Sequence, residues 1–293
     1  VAYDRWMRQT MMARQAARVL PRTAAAPSRA ARGFASIKPI ELHYTPTPNG
    51  YKVTLLLEEA NVPYVVRPID LAKGEQHTPE FLRISPNGRM PAIVDPNLTD
   101  TNCEDGLAVF ESGAIMMHIA EQYAPEFWPT DAAARSQVVQ WLFWVNAGLG
   151  PMAGQLSHFT YYAPQVAPGG DHAYAKDRYR REYDRLLSVV ERRLAVTGAY
   201  LAGETYTIAD MAAFPWIKPW KRWMGESLSA AGYPHAFRWY EAIKARPATK
   251  RGLAVMRAEA IEGQRVREQG GLSEEGVANM FRQAGSATAR SKL

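Results

Sequence analysis

A single cysteine, Cys103, stands among 293 residues, which excludes an internal disulfide, a CxxC redox pair and a cysteine-based zinc site. Any thiol chemistry must use a thiol from elsewhere. No apolar run approaches the ~18 residues a membrane span needs. Acid is almost missing from the first 36 residues, where Asp4 faces Arg5, Arg8, Arg14, Arg18, Arg22, Arg29 and Arg32. The rest of the chain holds 28 basic and 28 acidic residues, so the formal charge of +6 belongs to the leader. The folded body therefore has no general pull on phosphate, and nucleic-acid binding is not expected. With 47% hydrophobic and 11% aromatic residues, what remains is an ordinary globular composition.

Both ends read as addresses. Residues 1–36 have the Arg, Ala, Ser and Thr content of a disordered mitochondrial targeting presequence, with Arg32-Gly33-Phe34-Ala35-Ser36 as a processing site. Ser291-Lys292-Leu293 matches the receptor-read peroxisomal tripeptide. The matrix is the favoured destination, the peroxisome is the alternative, and dual targeting is open.

Between the addresses the pattern changes once. Short apolar strands at 40–44, 64–69, 90–94 and 107–110 alternate with helical periods at 49–60, 79–84 and 112–123, an α/β order βαβαββα. From Thr130 only helical periods remain, at 131–159, 174–196, 208–219, 235–245 and 248–258, with Thr207-Ile208-Ala209-Asp210 as a capping box. This predicts an α/β domain over 37–124, an all-helical domain over 130–258 and a flexible tail over 259–293.

Thr47 and Asn49 precede or open the first helix, where unpaired N–H groups and the macrodipole favour an anion; taken alone they read as plain caps. Ser112 alone likewise reads as an N-cap, and Arg89 as a surface charge. His158 has no HxxxH partner or neighbouring acid, so no metal site is expected. Trp216, Trp220 and Trp223 share helical spacing and read as packing.

Taken together, several fragments resemble the cytosolic glutathione transferase family, and most closely its Nu-class and fungal nitrogen-regulator-like branch. They are Pro46-Thr47-Pro48-Asn49-Gly50-Tyr51-Lys52-Val53, Pro79-Glu80-Phe81-Leu82-Arg83-Ile84-Ser85-Pro86-Asn87, Pro91-Ala92-Ile93-Val94-Asp95, Phe110-Glu111-Ser112-Gly113-Ala114-Ile115, Trp141-Leu142-Phe143-Trp144, Gly148-Leu149-Gly150-Pro151-Met152 and Arg246-Pro247-Ala248-Thr249. The resemblance implies a thioredoxin-like N-terminal domain followed by an all-helical one, a homodimer, and glutathione as co-substrate with no metal. It implies a cis peptide bond before Pro91, with the backbone of Met90 pairing with the cysteinyl part of glutathione. Glu111 and Ser112 would anchor the γ-glutamyl end, Gln76 and Arg89 the glycyl end, and Arg178 would reach in from the helical domain.

The family's usual Tyr, Ser or Cys catalyst is replaced here by Pro46. Thr47 and Asn49 are left to stabilise the glutathione thiolate, and Tyr44 is assigned to packing. The implied activity is glutathione-dependent reduction of a small disulfide, with conjugation to an apolar electrophile as its sibling. A non-catalytic binding or assembly module on the same fold is the alternative from a different class.

Overall fold

The computed structural model describes residues 37–99, 105–268 and 273–281. The leader, Cys103 and the terminal Ser-Lys-Leu lie outside the described residues. β1 (Ile40–Tyr44), α1 (Pro48–Glu59), β2 (Tyr64–Pro68), α2 (Pro79–Ile84), β3 (Ala92–Asp95), β4 (Leu107–Phe110) and α3 (Ser112–Tyr123) follow in the expected βαβαββα order. The sheet runs β2-β1-β3-β4, with β1 parallel to β2 and antiparallel to β3, and β3 antiparallel to β4. Ile40, Leu42 and Tyr44 alternate inward along β1, while all four residues of β3 are buried, as befits a strand flanked on both sides.

The second half is helical throughout: α4 (Ala132–Trp144), α5 (Gly150–Ser157), α6 (Ala163–Val166), α7 (Ala173–Thr197), α8 (Ile208–Ile217), α9 (Trp220–Met224), α10 (Pro234–Ala245) and α11 (Pro247–Ala254). The single helix expected over 131–159 is interrupted by π turns at Val145–Leu149 and His158–Tyr162. Pro151 has no N–H to give the residue four positions earlier, which favours the wider winding just ahead of it. The expectation of a flexible tail is also revised, because α12 (Arg257–Glu268) and α13 (Glu274–Phe281) occupy part of it. Their polar composition hid the docking: Val277 is buried, and Asn279 Nδ2 donates to the Ala72 carbonyl over 2.9 Å.

The two halves share one large core. α1 packs on α3 from its own domain and on α8 and α11 from the other. Thr54 Oγ1 donates to the Gly252 carbonyl over 3.0 Å, and Arg246 forks Glu59 over 2.6 and 2.8 Å. At the start of α8, buried Asp210 accepts from the N–H groups of Leu201 and Thr207 and from the Trp239 indole. Burial pushes its carboxyl up to about 6 against those donors. Asp210→Ala should strip the cap and orphan two further buried donors, lowering stability by roughly 3 kcal/mol. A urea midpoint unchanged from wild type would show that the cap carries no weight.

Candidate functional site

The N-terminus of α1 is built by its own sequence. Thr47 is the N-cap, its Oγ1 accepting the Gly50 N–H over 3.2 Å, and Pro48 opens the helix where no N–H is missed. Gly50 fits against β1 because it has no side chain: a Cβ there would lie 2.6 Å from Tyr44 Cε2 and 2.7 Å from the Thr45 carbonyl oxygen. Tyr44, assigned to packing, is fully buried beneath it. Asn49 follows the cap, and its Oδ1 accepts the Trp216 indole N–H over 3.2 Å. With its acceptor engaged, the carboxamide keeps its NH2 as a donor.

Asn49 lines a cavity of about 500 Å³ with Lys52, Arg89, Glu111, Ser112, Asn146 and Trp216. Its far wall comes from the second half, through Gly154, Gln155 and His158. Glu111 sits at the β4–α3 corner with φ of 70°, a left-handed conformation rare for a non-glycine residue and frequent where a site imposes it. Ser112 opens α3 and is nearly buried. The Met90–Pro91 peptide bond, just before β3, is cis.

Lys52 is the residue that sequence reasoning missed. It is 1% exposed, and its Nζ donates to Asn146 Oδ1 over 2.7 Å and to Ser112 Oγ over 3.2 Å. Asn146 Nδ2 is tied to the Leu142 carbonyl over 2.8 Å, which fixes which end of the amide meets the lysine. Gly113 makes room for it, since a Cβ there would lie 2.8 Å from Asn146 Nδ2. Burial pushes the Lys52 ammonium down to about 7, with the Glu111 carboxylate pulling the other way. Its spacing from Asn49 was the available signal, because residues three apart share a helix face.

The other expected residues are placed as follows. Thr47 lines an adjoining, more apolar cavity of about 260 Å³ with Leu71, Tyr161, Tyr162, Trp223 and Met280. Gly154 and Trp216 border both spaces, so Trp216, read from its spacing as packing, is also a shared wall. Arg89 borders the main cavity and donates to the Met280 carbonyl over 3.3 Å. Gln76 is not brought to it. The glutamine is fully buried against α13 and donates to the Asn279 carbonyl over 2.8 Å, a partner the composition of the tail did not announce. Arg178 also stands outside the cavity, half exposed along α7 and 3.9 Å from Glu182. Its neighbours Arg181 and Arg185 make similar pairs along that helix. His158 is held low by burial and by His172, and stacks on Tyr162. Among the described residues no cluster of three His, Cys, Asp or Glu could hold a metal.

Comparison with known proteins places these elements. Residues 40–121 match the glutathione S-transferase N-terminal domain and residues 150–247 the C-terminal domain of the same family. The disulfide-bond oxidoreductase YfcG of Escherichia coli is 45% identical over 220 residues, covering 75% of this chain and 96% of that protein. Protein URE2 of Candida albicans is 32% identical over 238 residues, 70% of this chain and 67% of its own. A glutathione transferase from Burkholderia graminis, solved with two glutathione molecules bound per subunit, is 39% identical with a TM-score of 0.66. That match covers 74% of this chain and 88% of the other.

The tight seat of the first helix has a direct test. Gly50→Ala must shift either Tyr44 or the helix start, and should cost about 1–3 kcal/mol, read as a lowered urea midpoint. A variant as stable as wild type would mean that the helix start yields easily and does not fix Asn49.

Proposed function

The chain belongs to the glutathione S-transferase family, and we propose that it is a glutathione-dependent disulfide-bond reductase that works by stabilising a glutathione thiolate. The observation that carries this is the single cavity joining Asn49, with its acceptor tied to Trp216, to Glu111 and Ser112 at a second helix start. In this reading the γ-glutamyl end of glutathione meets Glu111 and Ser112. Its cysteinyl backbone runs beside Met90 and the cis Pro91, Arg89 addresses the glycyl carboxylate, and the sulfur rests near Asn49.

A free thiol has a pKa near 8.5, and lowering it by one to two units takes about 1.4–2.7 kcal/mol. One hydrogen bond to an anion contributes roughly 1.5–3 kcal/mol and a helix N-terminus about 0.3–1 kcal/mol. Asn49 with the start of α1 is therefore sufficient, and Thr47 serves by capping that helix and facing the adjoining cavity. The bound thiolate attacks one sulfur of a disulfide and expels the other as a thiolate. A second glutathione thiolate then attacks the mixed disulfide, giving glutathione disulfide and a second free thiol. The two protons given up by the glutathiones end on the two product thiols. The Burkholderia graminis relative with two glutathiones per subunit supports this stoichiometry. Conjugation would use the same thiolate on an apolar electrophile in the adjoining cavity.

The assembly-module reading keeps its place through similarity to the nitrogen regulation fragment of the yeast prion protein Ure2p, but a scaffold has no need of Asn49, Glu111 and Ser112 gathered in one cavity. The resemblance extends the proposal to a homodimer. The acid-free stretch from Met11 to Ser36 supports delivery to the mitochondrial matrix, with the terminal Ser-Lys-Leu supporting the peroxisome.

Asn49→Ala should cut turnover on hydroxyethyl disulfide at least about tenfold with little change in glutathione affinity, whereas Ser112→Ala should chiefly weaken binding. Steady-state kinetics and glutathione titration separate the two. If about 10 mM glutathione neither stabilises the protein thermally nor appears as an ordered ligand, the module reading replaces this one.

A further inference from the structure

Lys52 is not needed by the thiolate chemistry, and its surroundings do not account for it. Its ammonium has three hydrogens, and the structure gives two of them acceptors, Asn146 Oδ1 at 2.7 Å and Ser112 Oγ at 3.2 Å. Among the described residues no carboxylate lies within ion-pair reach of the nitrogen. Burying a cation without a counter-charge costs several kcal/mol, and apolar residues of similar volume usually serve packing better. The groups facing it are Glu111 and Ser112 from the start of α3, Asn146 from the π turn after α4, and Arg89 and His158 on the cavity walls. Of these only Glu111 offers an opposite charge, and its pull does not offset the burial.

We infer that Lys52 receives the α-carboxylate of the γ-glutamyl group, and that it takes up a proton when that carboxylate arrives. The inference rests on the glutathione reading above and adds to it a charged anchor and a pH dependence. Ser112 Oγ already touches the lysine, so a carboxylate bound at Ser112 and the first N–H groups of α3 lies beside Nζ. Glu111, at the same corner, is left to the ligand's ammonium. With burial holding Lys52 down to about 7, the free protein carries it partly neutral near pH 7.5. An arriving carboxylate favours the charged form and pulls a proton in.

The sign follows. Affinity is greatest below about pH 7, where Lys52 is already charged, and falls as pH rises because each binding event must then collect a proton. S-methylglutathione is the probe, since it has no thiol to titrate. Its affinity for the full chain should fall about tenfold between about pH 6 and pH 8. Calorimetry at about pH 7.5 in two buffers of different ionisation enthalpy should show uptake of more than half a proton. Lys52→Met should bind at least about tenfold more weakly at pH 6, and Lys52→Arg should hold a permanent charge; both should abolish the uptake, whereas His158→Gln should keep it. Wild-type binding with neither pH dependence nor uptake overturns the proposal and leaves the glutathione reading standing. Uptake that persists in Lys52→Met, or disappears in His158→Gln, also overturns it. No binding of the probe at any pH overturns both readings.

Discussion

Helix α1 is gripped from two sides, and the geometry of the site depends on that grip. α3 holds it from the sheet domain, while α8 and α11 hold it from the helical domain. Gly252 of α11 comes so close that a Cβ there would sit 3.1 Å from the Leu55 backbone. Thr54 and Glu59 tie the same helix to α11 and its cap through Gly252 and Arg246. A helix enclosed in this way cannot roll, so Asn49 and Lys52 are presented to one cavity in a fixed relation. The same burial that provides stability thus provides preorganisation, because the donors need not be gathered when a ligand arrives.

Charge in the cavity is arranged around two helix starts. α1 offers its N-terminus beside Asn49, and α3 offers its own beside Ser112. Both favour an anion, and Lys52 between them makes the preference stronger at one end. A ligand with two separate anionic groups, one for each helix start, matches that pattern. Glu111 supplies the complementary sign at the α3 corner, held there by its left-handed backbone. A neutral or purely apolar ligand would leave the buried Lys52 with hydrogen-bond acceptors but no counter-charge, which argues for an amphoteric molecule and against a greasy one at this end.

Much of the architecture was legible because strand and helix periods differ: β1 alternates cleanly, and the short apolar runs of the other strands are too brief and too β-branched for helices. Asn49, Glu111 and Ser112 were legible as well, since each lies at a helix start whose neighbours spell a recognisable motif. Lys52 was harder to see. Lysine ordinarily reads as a solvated face, and only a partner from the π turn after α4, some ninety residues later, shows that it is enclosed. That Gln76 lies outside the cavity was hidden for a different reason: its partner, Asn279, belongs to a polar helix whose docking shows only in three dimensions. The π turns escaped because periodicity over 131–159 averages across them, although Pro151 and its flanking glycines marked the place.

Trp216 joins the two cavities and constrains any account of how a second substrate is met. Its indole N–H fixes Asn49, while its ring borders both the polar space and the apolar one beside Thr47. A disulfide or an electrophile approaching from the apolar side would therefore press on the residue that orients the Asn49 carboxamide. Among the described residues no cysteine lines either cavity, and in the proposed reaction both sulfurs of the reducing pair come from bound molecules meeting across that wall. Protein-held thiols would need only local alignment. Borrowed ones need two binding sites in register, and a side chain shared by both is the simplest way to keep them so.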